Sequence, residues 1–77
     1  YRCHPQTTKL IETISSGAIG RVKLIRSSFC YRVRSWQGNI RFSHELAGGA
    51  LMDVGCYCVS MGRLIAGGDP IDVRAVA

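Results

Sequence analysis

The segment spanning residues 47–68 constrains this chain most. Leu51, Met52, Cys56, Val59, Leu64 and Ile65 wind around a predicted helix from about Gly49 to Ala66, so apolar side chains lie on most of its sides. A helix of that kind needs cover on more than one face. Its end is set by Gly67-Gly68, and Asp69-Pro70 forbids continuation. Asp53, Arg63 and six glycines interrupt the segment, which argues against a membrane span. The whole chain has 77 residues, enough for one small domain with a limited core.

A shorter helix is predicted upstream. His4-Pro5-Gln6 opens it, Pro5 suits its first turn, and Leu10, Ile11 and Ile14 share one face. Gly17 is a left-handed cap, and Ala18-Ile19-Gly20 makes a tight turn. From Arg21 to Arg34 the pattern reads as a strand, with Ile25, Phe29, Tyr31 and Val33 on one parity and Val22, Leu24 and Cys30 on the other. Ser35 to Glu45 has no period and reads as a loop. Ile71 to Ala77 alternates as a second strand. The expected class is α/β (α+β) in the order α-β-loop-α-β. A helix joining the two strands allows a crossover and so a parallel or mixed sheet with helices on one face.

Composition narrows the function classes. Hydrophobic residues at 47% and charged residues at 19% describe an ordinary globular protein and exclude a disordered one. The four cysteines lack zinc spacing, and Cys56 and Cys58, two apart on a helix, point about 200° apart. No metal is expected; the thiols suit a reducing compartment, and a cytoplasmic protein is the expectation, a periplasmic one remaining open. The formal charge is +5. Arg21, Lys23, Arg26, Arg32, Arg34 and Arg41 form a basic stripe, yet no nucleic-acid motif accompanies it. A solvated face is the better account, and neither nucleic acid nor membrane is expected as a partner. The absence of a start methionine and of a leader pattern is read as a piece of a longer chain.

The chemistry sits at the start of the long helix. Gly48-Gly49 precede it, and helix-terminal amides favour anions and polar oxygens. Asp53 and Tyr57 are four apart, so one small polar molecule can touch both. A Tyr hydroxyl can donate a proton to a carbonyl that accepts hydride, given a cation or hydrogen-bond partner to bring it near neutral pH. Gly55 between them costs roughly 0.5–1 kcal/mol against alanine, which points to a close approach there. Each has a plain structural alternative: Asp53 as a helix-dipole residue and Tyr57 as a core aromatic. Trp36, Asn39 and Arg41 in the preceding loop are candidate substrate-binding residues, Arg41 for a hydroxyl, carboxylate or phosphate. Arg2 and His4 are candidates for touching a cofactor.

The run Gly48-Gly49-Ala50-Leu51-Met52-Asp53-Val54-Gly55-Cys56-Tyr57 resembles the G-G-x-L-x-D-x-G-x-[HY] pattern of the Gfo/Idh/MocA oxidoreductases. Tyr1-Arg2-Cys3-His4-Pro5 is similar to that family's R-x-x-P lead into its second domain. Ser16-Gly17-Ala18-Ile19-Gly20-Arg21-Val22 is similar to its S-G-x-I-G-x-[VL] turn. Tyr57 in place of the commoner His looks like the branch of glucose-fructose oxidoreductase, dihydrodiol dehydrogenase and xylose dehydrogenase. The resemblance implies that residues 1–77 are the N-terminal part of the family's C-terminal domain, which holds substrate and often the oligomer interface. It also implies an open, largely antiparallel mixed sheet. It further implies hydride transfer between NAD or NADP and the CH–OH of a sugar, polyol or related alcohol, Tyr57 moving the proton and Asp53 binding substrate. A homo-oligomer built through that sheet follows as well. The Rossmann G-x-G-x-x-G turn is absent, since Gly17-Ala18-Ile19-Gly20 lacks its spacing and a preceding strand. The family's E-K-P lysine is absent too, so the chain by itself is expected neither to hold a dinucleotide tightly nor to turn over. A relative that only binds nucleotide or sugar and regulates is the alternative, and a small basic nucleic-acid-binding domain, resting only on the stripe from Arg21 to Arg41, is a lesser one.

Overall fold

The computed structural model describes residues 1–76. Among the described residues there are two α-helices, α1 (Pro5–Ser15) and α2 (Cys56–Ala66), with a 3-10 turn at Ile40–Phe42 and a π-helical turn at Leu51–Gly55 leading into α2. The chain divides into two units, one of residues 1–25 and 63–77, the other of residues 26–62.

In the first unit, α1 starts where the chemistry of helix ends directs. His4 is the N-cap in an extended conformation, and its Nδ1 accepts from the Gln6 N–H at 3.1 Å. Pro5 follows at the first helical position, where no partner for its missing N–H is needed. The Thr7 hydroxyl, on the one buried polar residue among those described, donates to the Tyr1 carbonyl at 3.0 Å and ties Tyr1 to the helix. Ile11 and Ile14 are half-buried. The helix ends through Gly17 at φ +76°, and Gly20 at φ +70° closes the following turn, its N–H donating to the Gly17 carbonyl at 2.9 Å. At the far end of α2, Gly67 at φ +74° donates to the Arg63 carbonyl at 3.0 Å. Arg63 also pairs with Asp69.

The expected sheet is not there. Among the described residues no strand occurs, so residues 21–34 and 71–76 are irregular, and the mixed or largely antiparallel sheet with helices on one face is overturned. Ala77, the last residue of the second expected strand, lies outside the described residues. The reason is physical. A strand's N–H and C=O groups reach sideways to a second segment, and alternation of side chains says nothing about whether that segment exists. β-branched and aromatic residues mark a surface that fits a sheet once a neighbour is supplied.

Exposure tells the same story. No apolar side chain among the described residues is buried. Ile71 and Val76 are fully exposed, and Leu24 is 70% exposed. Single exposed apolar residues are ordinary, but a chain with no buried ones has collected little of the roughly 1.5–3 kcal/mol that each covered Leu, Ile or Val provides.

Candidate functional site

The second unit builds its site on two glycines. The Gly49 N–H donates to the Arg41 carbonyl at 2.7 Å, and the Gly48 N–H donates to the Ser43 carbonyl at 2.8 Å. The glycine pair is thereby stitched to the 3-10 turn. Its amides face their own chain rather than a ligand. Gly49 has φ +114°, a conformation that side chains resist. Gly48 has a different reason: a Cβ there would fall 2.5 Å from the Ile40 carbonyl oxygen and 2.6 Å from that of Arg41.

This stitching carries Arg41 to the helix. Its Nε donates to Asp53 Oδ1 at 2.9 Å. The Tyr31 hydroxyl donates to Oδ2 of the same carboxylate. Spacing does not point to Tyr31, because it lies 22 positions upstream of Asp53. Its parity with Phe29 and Val33 was the available signal. Those three side chains line one cavity of about 220 Å³ together with Arg41, Phe42 and Asp53.

The electrostatics follow from these bonds. The Tyr31 hydrogen bond holds the Asp53 carboxyl below the usual carboxylate range; partial burial opposes this, and the hydrogen bond and charge of Arg41 add to it. The same bond pushes the Tyr31 phenol up, since its proton is held by an anion. Arg41 is raised in turn by its hydrogen bond to Asp53. Asp53 is therefore an ionised carboxylate with one protein donor on each oxygen. Each oxygen keeps a lone pair with which to accept a further hydroxyl hydrogen.

The turn bearing Asp53 is π-helical. The Cys56 N–H donates to the Leu51 carbonyl, five residues back. Such wide turns recur at functional sites because they re-aim side chains. A Cβ on Gly55 would meet Leu51 Cδ1 at 3.0 Å, so its near neighbour belongs to the same turn and not to another element. Tyr57 stands just after the π turn, 46% exposed. Its ring lies against Phe29, centroids 5.8 Å apart and planes at 41°. Phe29 in turn meets Tyr31 edge-on at 6.5 Å. Tyr57 is thus joined to the cavity through Phe29 rather than lining it.

The other candidates lie elsewhere. Trp36 and Asn39 line a separate hollow of about 370 Å³ with Gln37, Phe42, Ser43 and Leu46. Asn39 caps the 3-10 turn: its Oδ1 accepts from the Arg41 N–H at 3.1 Å and its Nδ2 donates to the Ser35 carbonyl at 3.3 Å. Asn39→Ala is expected to cost about 1 kcal/mol, the usual value of a side-chain cap. Urea unfolding of the full-length parent measures it, and a cost near zero would show that the turn stands without its cap.

Arg2 lines a hollow in the first unit with Arg63, Leu64, Gly67, Gly68 and Asp69. It adjoins a helix C-terminus, where backbone carbonyls carry partial negative charge, and Asp69 adds a full one. His4 is committed to capping α1. A Rossmann site holds dinucleotide phosphates with helix N-terminal amides and a glycine-rich turn, whereas this hollow is lined from a helix C-terminus. No three metal-ligating side chains come together among the described residues, and none of their helices is long and apolar enough to cross a membrane.

The chain is 43% identical over 67 residues to D-xylose 1-dehydrogenase (NADP(+)) 2 of Haloferax volcanii, covering 87% of this chain and 20% of the relative. It is 34% identical over 73 residues to a dTDP-3,4-didehydro-2,6-dideoxy-alpha-D-glucose 3-reductase of Actinomadura kijaniata, covering 95% and 22%. It is 37% identical over 68 residues to the trans-1,2-dihydrobenzene-1,2-diol dehydrogenase of Xenopus tropicalis, covering 88% and 20%. The chain thus spans about a fifth of the length of these curated relatives. No solved structure matches it. The sequence pattern of the GFO/IDH/MocA C-terminal domain matches residues 7–77, and the chain therefore belongs to that family.

Proposed function

We propose that this chain is the N-terminal part of the substrate domain of an oxidoreductase that interconverts a CH–OH group and a carbonyl on a sugar, polyol or cyclic diol. The observation that carries this reading is the Asp53 carboxylate, held ionised by Tyr31 and Arg41 at a cavity, four residues before Tyr57. Asp53 accepts hydrogen bonds from substrate hydroxyls through its remaining lone pairs. Arg41, partly exposed beside it, donates from its free N–H groups to a neighbouring substrate oxygen. The Tyr57 hydroxyl exchanges the proton of the reacting oxygen. The hydride partner is NAD or NADP, bound by residues outside this chain; the relative from Haloferax volcanii carries NADP(+) in its name. Trp36 lines a separate hollow and has no part in this reading of the Asp53 cavity.

The exposed apolar side chains need cover, and we assign part of it to a second copy of the parent in a homo-oligomer. The four free cysteines suit a reducing compartment and support a cytoplasmic site of action. The test is turnover by the full-length parent, followed as nicotinamide absorbance with D-xylose and with trans-1,2-dihydrobenzene-1,2-diol, each with NAD and with NADP. Oxidation of at least one is expected. Dinucleotide binding without turnover of these or of a wider sugar and diol panel would replace the enzymatic reading with a regulatory one.

A further inference from the structure

Asp53 is more tightly engaged than its place in a helix requires. Two donors from distant parts of the unit converge on it, Arg41 from the 3-10 turn and Tyr31 from the irregular segment before it. Each contacts a different oxygen, which leaves the carboxylate no freedom to rotate. A carboxylate gripped in this way is a poor proton acceptor and a well-placed hydrogen-bond acceptor. Tyr31 is constrained as well. A phenol has one hydrogen, and that of Tyr31 is committed to Asp53. Of the two tyrosines near the cavity, Tyr31 is therefore unable to serve as the proton donor to substrate while this bond stands. Its ring has a second contact: Phe29 meets it at 6.5 Å and meets Tyr57 at 5.8 Å. Tyr31 thus touches, directly or through one ring, both groups assigned to the reaction.

We propose that Tyr31 is the positioning residue of this site, its hydroxyl locking the Asp53 carboxylate and its ring, through Phe29, setting the placement of Tyr57. The proposal rests on the reading of the site given above and adds a residue to it. The lowered titration of the Asp53 carboxyl agrees with such a lock. The titratable and charged groups around Asp53 are Tyr31 and Arg41, Cys30 in the same cavity, and Cys56 and Tyr57 on the turn that follows.

Tyr31→Phe in the full-length parent keeps the ring and removes the lock. kcat/KM is expected to fall about tenfold, as for loss of one hydrogen bond to a charged group, mostly through KM. The acid limb of kcat/KM against pH is expected to move to higher pH, because Asp53 loses the bond that holds its proton off. Phe29→Leu removes the ring bridge and is expected to lower kcat more than KM. A Tyr31→Phe enzyme with an unmoved acid limb, whatever its stability, would reduce Tyr31 to a structural residue. Carbon-13 NMR of the wild-type parent provides a readout independent of turnover and of any variant's folding. The Asp53 carboxyl carbon and the Tyr31 ring carbon bearing the hydroxyl are expected to shift together as pH falls through the Asp53 titration. Independent titration of the two overturns the proposal. If the wild-type parent turns over no sugar or diol, the enzymatic reading fails by itself, and the NMR titration alone decides the lock.

Discussion

Tyr57→Phe in the full-length parent is expected to lower kcat by roughly 10²–10⁴, the range for loss of a positioned acid–base group. Removing one oxygen leaves the ring on Phe29 undisturbed, so the packing contact at 5.8 Å survives. Tyr57 is also 46% exposed, and no large folding cost attaches to the change. Binding of the reduced nicotinamide, followed by fluorescence, is expected to stay within about twofold, since a proton-transfer role concerns kcat and not cofactor affinity. Tyr31→Phe is the natural comparison, because both variants lose a phenol hydroxyl within one aromatic cluster. Tyr57→Phe should be the more damaging by at least about tenfold. Equal effects would assign the proton to the wrong tyrosine. Unchanged turnover in Tyr57→Phe would remove the acid–base role altogether.

Gly48→Ala is expected to destabilise the parent by about 1–3 kcal/mol, the cost of forcing atoms into an occupied space. The added methyl would stand 2.5 Å from the Ile40 carbonyl oxygen and 2.6 Å from that of Arg41. Both are backbone atoms, which cannot swing aside as the end of a side chain can. Relief requires the 3-10 turn to move away from the π turn, and Arg41 moves with it. The 2.9 Å contact to Asp53 is then lost, so kcat/KM should fall together with stability. Gly55→Ala is the control. Its methyl would meet the flexible tip of Leu51 at 3.0 Å, and it gains up to about 1 kcal/mol of helix propensity. Denaturant unfolding should therefore show Gly55→Ala near wild type and Gly48→Ala well below it. The reverse order would mean that the glycine pair is retained for a reason other than the approach of the 3-10 turn.

The two variants also show where reading a sequence stops. Gly48 and Gly49 stand out in the chain as a pair, but their separate reasons, close approach for one and positive φ for the other, depend on what lies across from them. Gly55 shows the converse. A mid-helix glycine suggested a neighbouring element, whereas the neighbour is the Leu51 side chain within a π turn. The loop position of Asn39 suits substrate binding, yet both polar atoms of its side chain engage nearby backbone, at Ser35 and Arg41. Nothing in its type or spacing separates these uses.

Local chemistry decided the parts of this protein that involve neighbours in the chain. His4 and Pro5 start α1, Gly17 ends it, and Gly67 ends α2, because caps and turns act over four or five residues and those residues are all present in the sequence. Whatever needs a partner from afar was decided by tertiary structure. Residues 21–34 alternate as a strand does, yet backbone groups form a ladder only against a second segment, and among the described residues none supplies it. Tyr31 reaches Asp53 across 22 positions, and Arg41 reaches it only because Gly49 binds the Arg41 carbonyl. Periodicity orders side chains along one segment; the meeting of two segments is set by packing and hydrogen bonds between them, which no single stretch of residues contains.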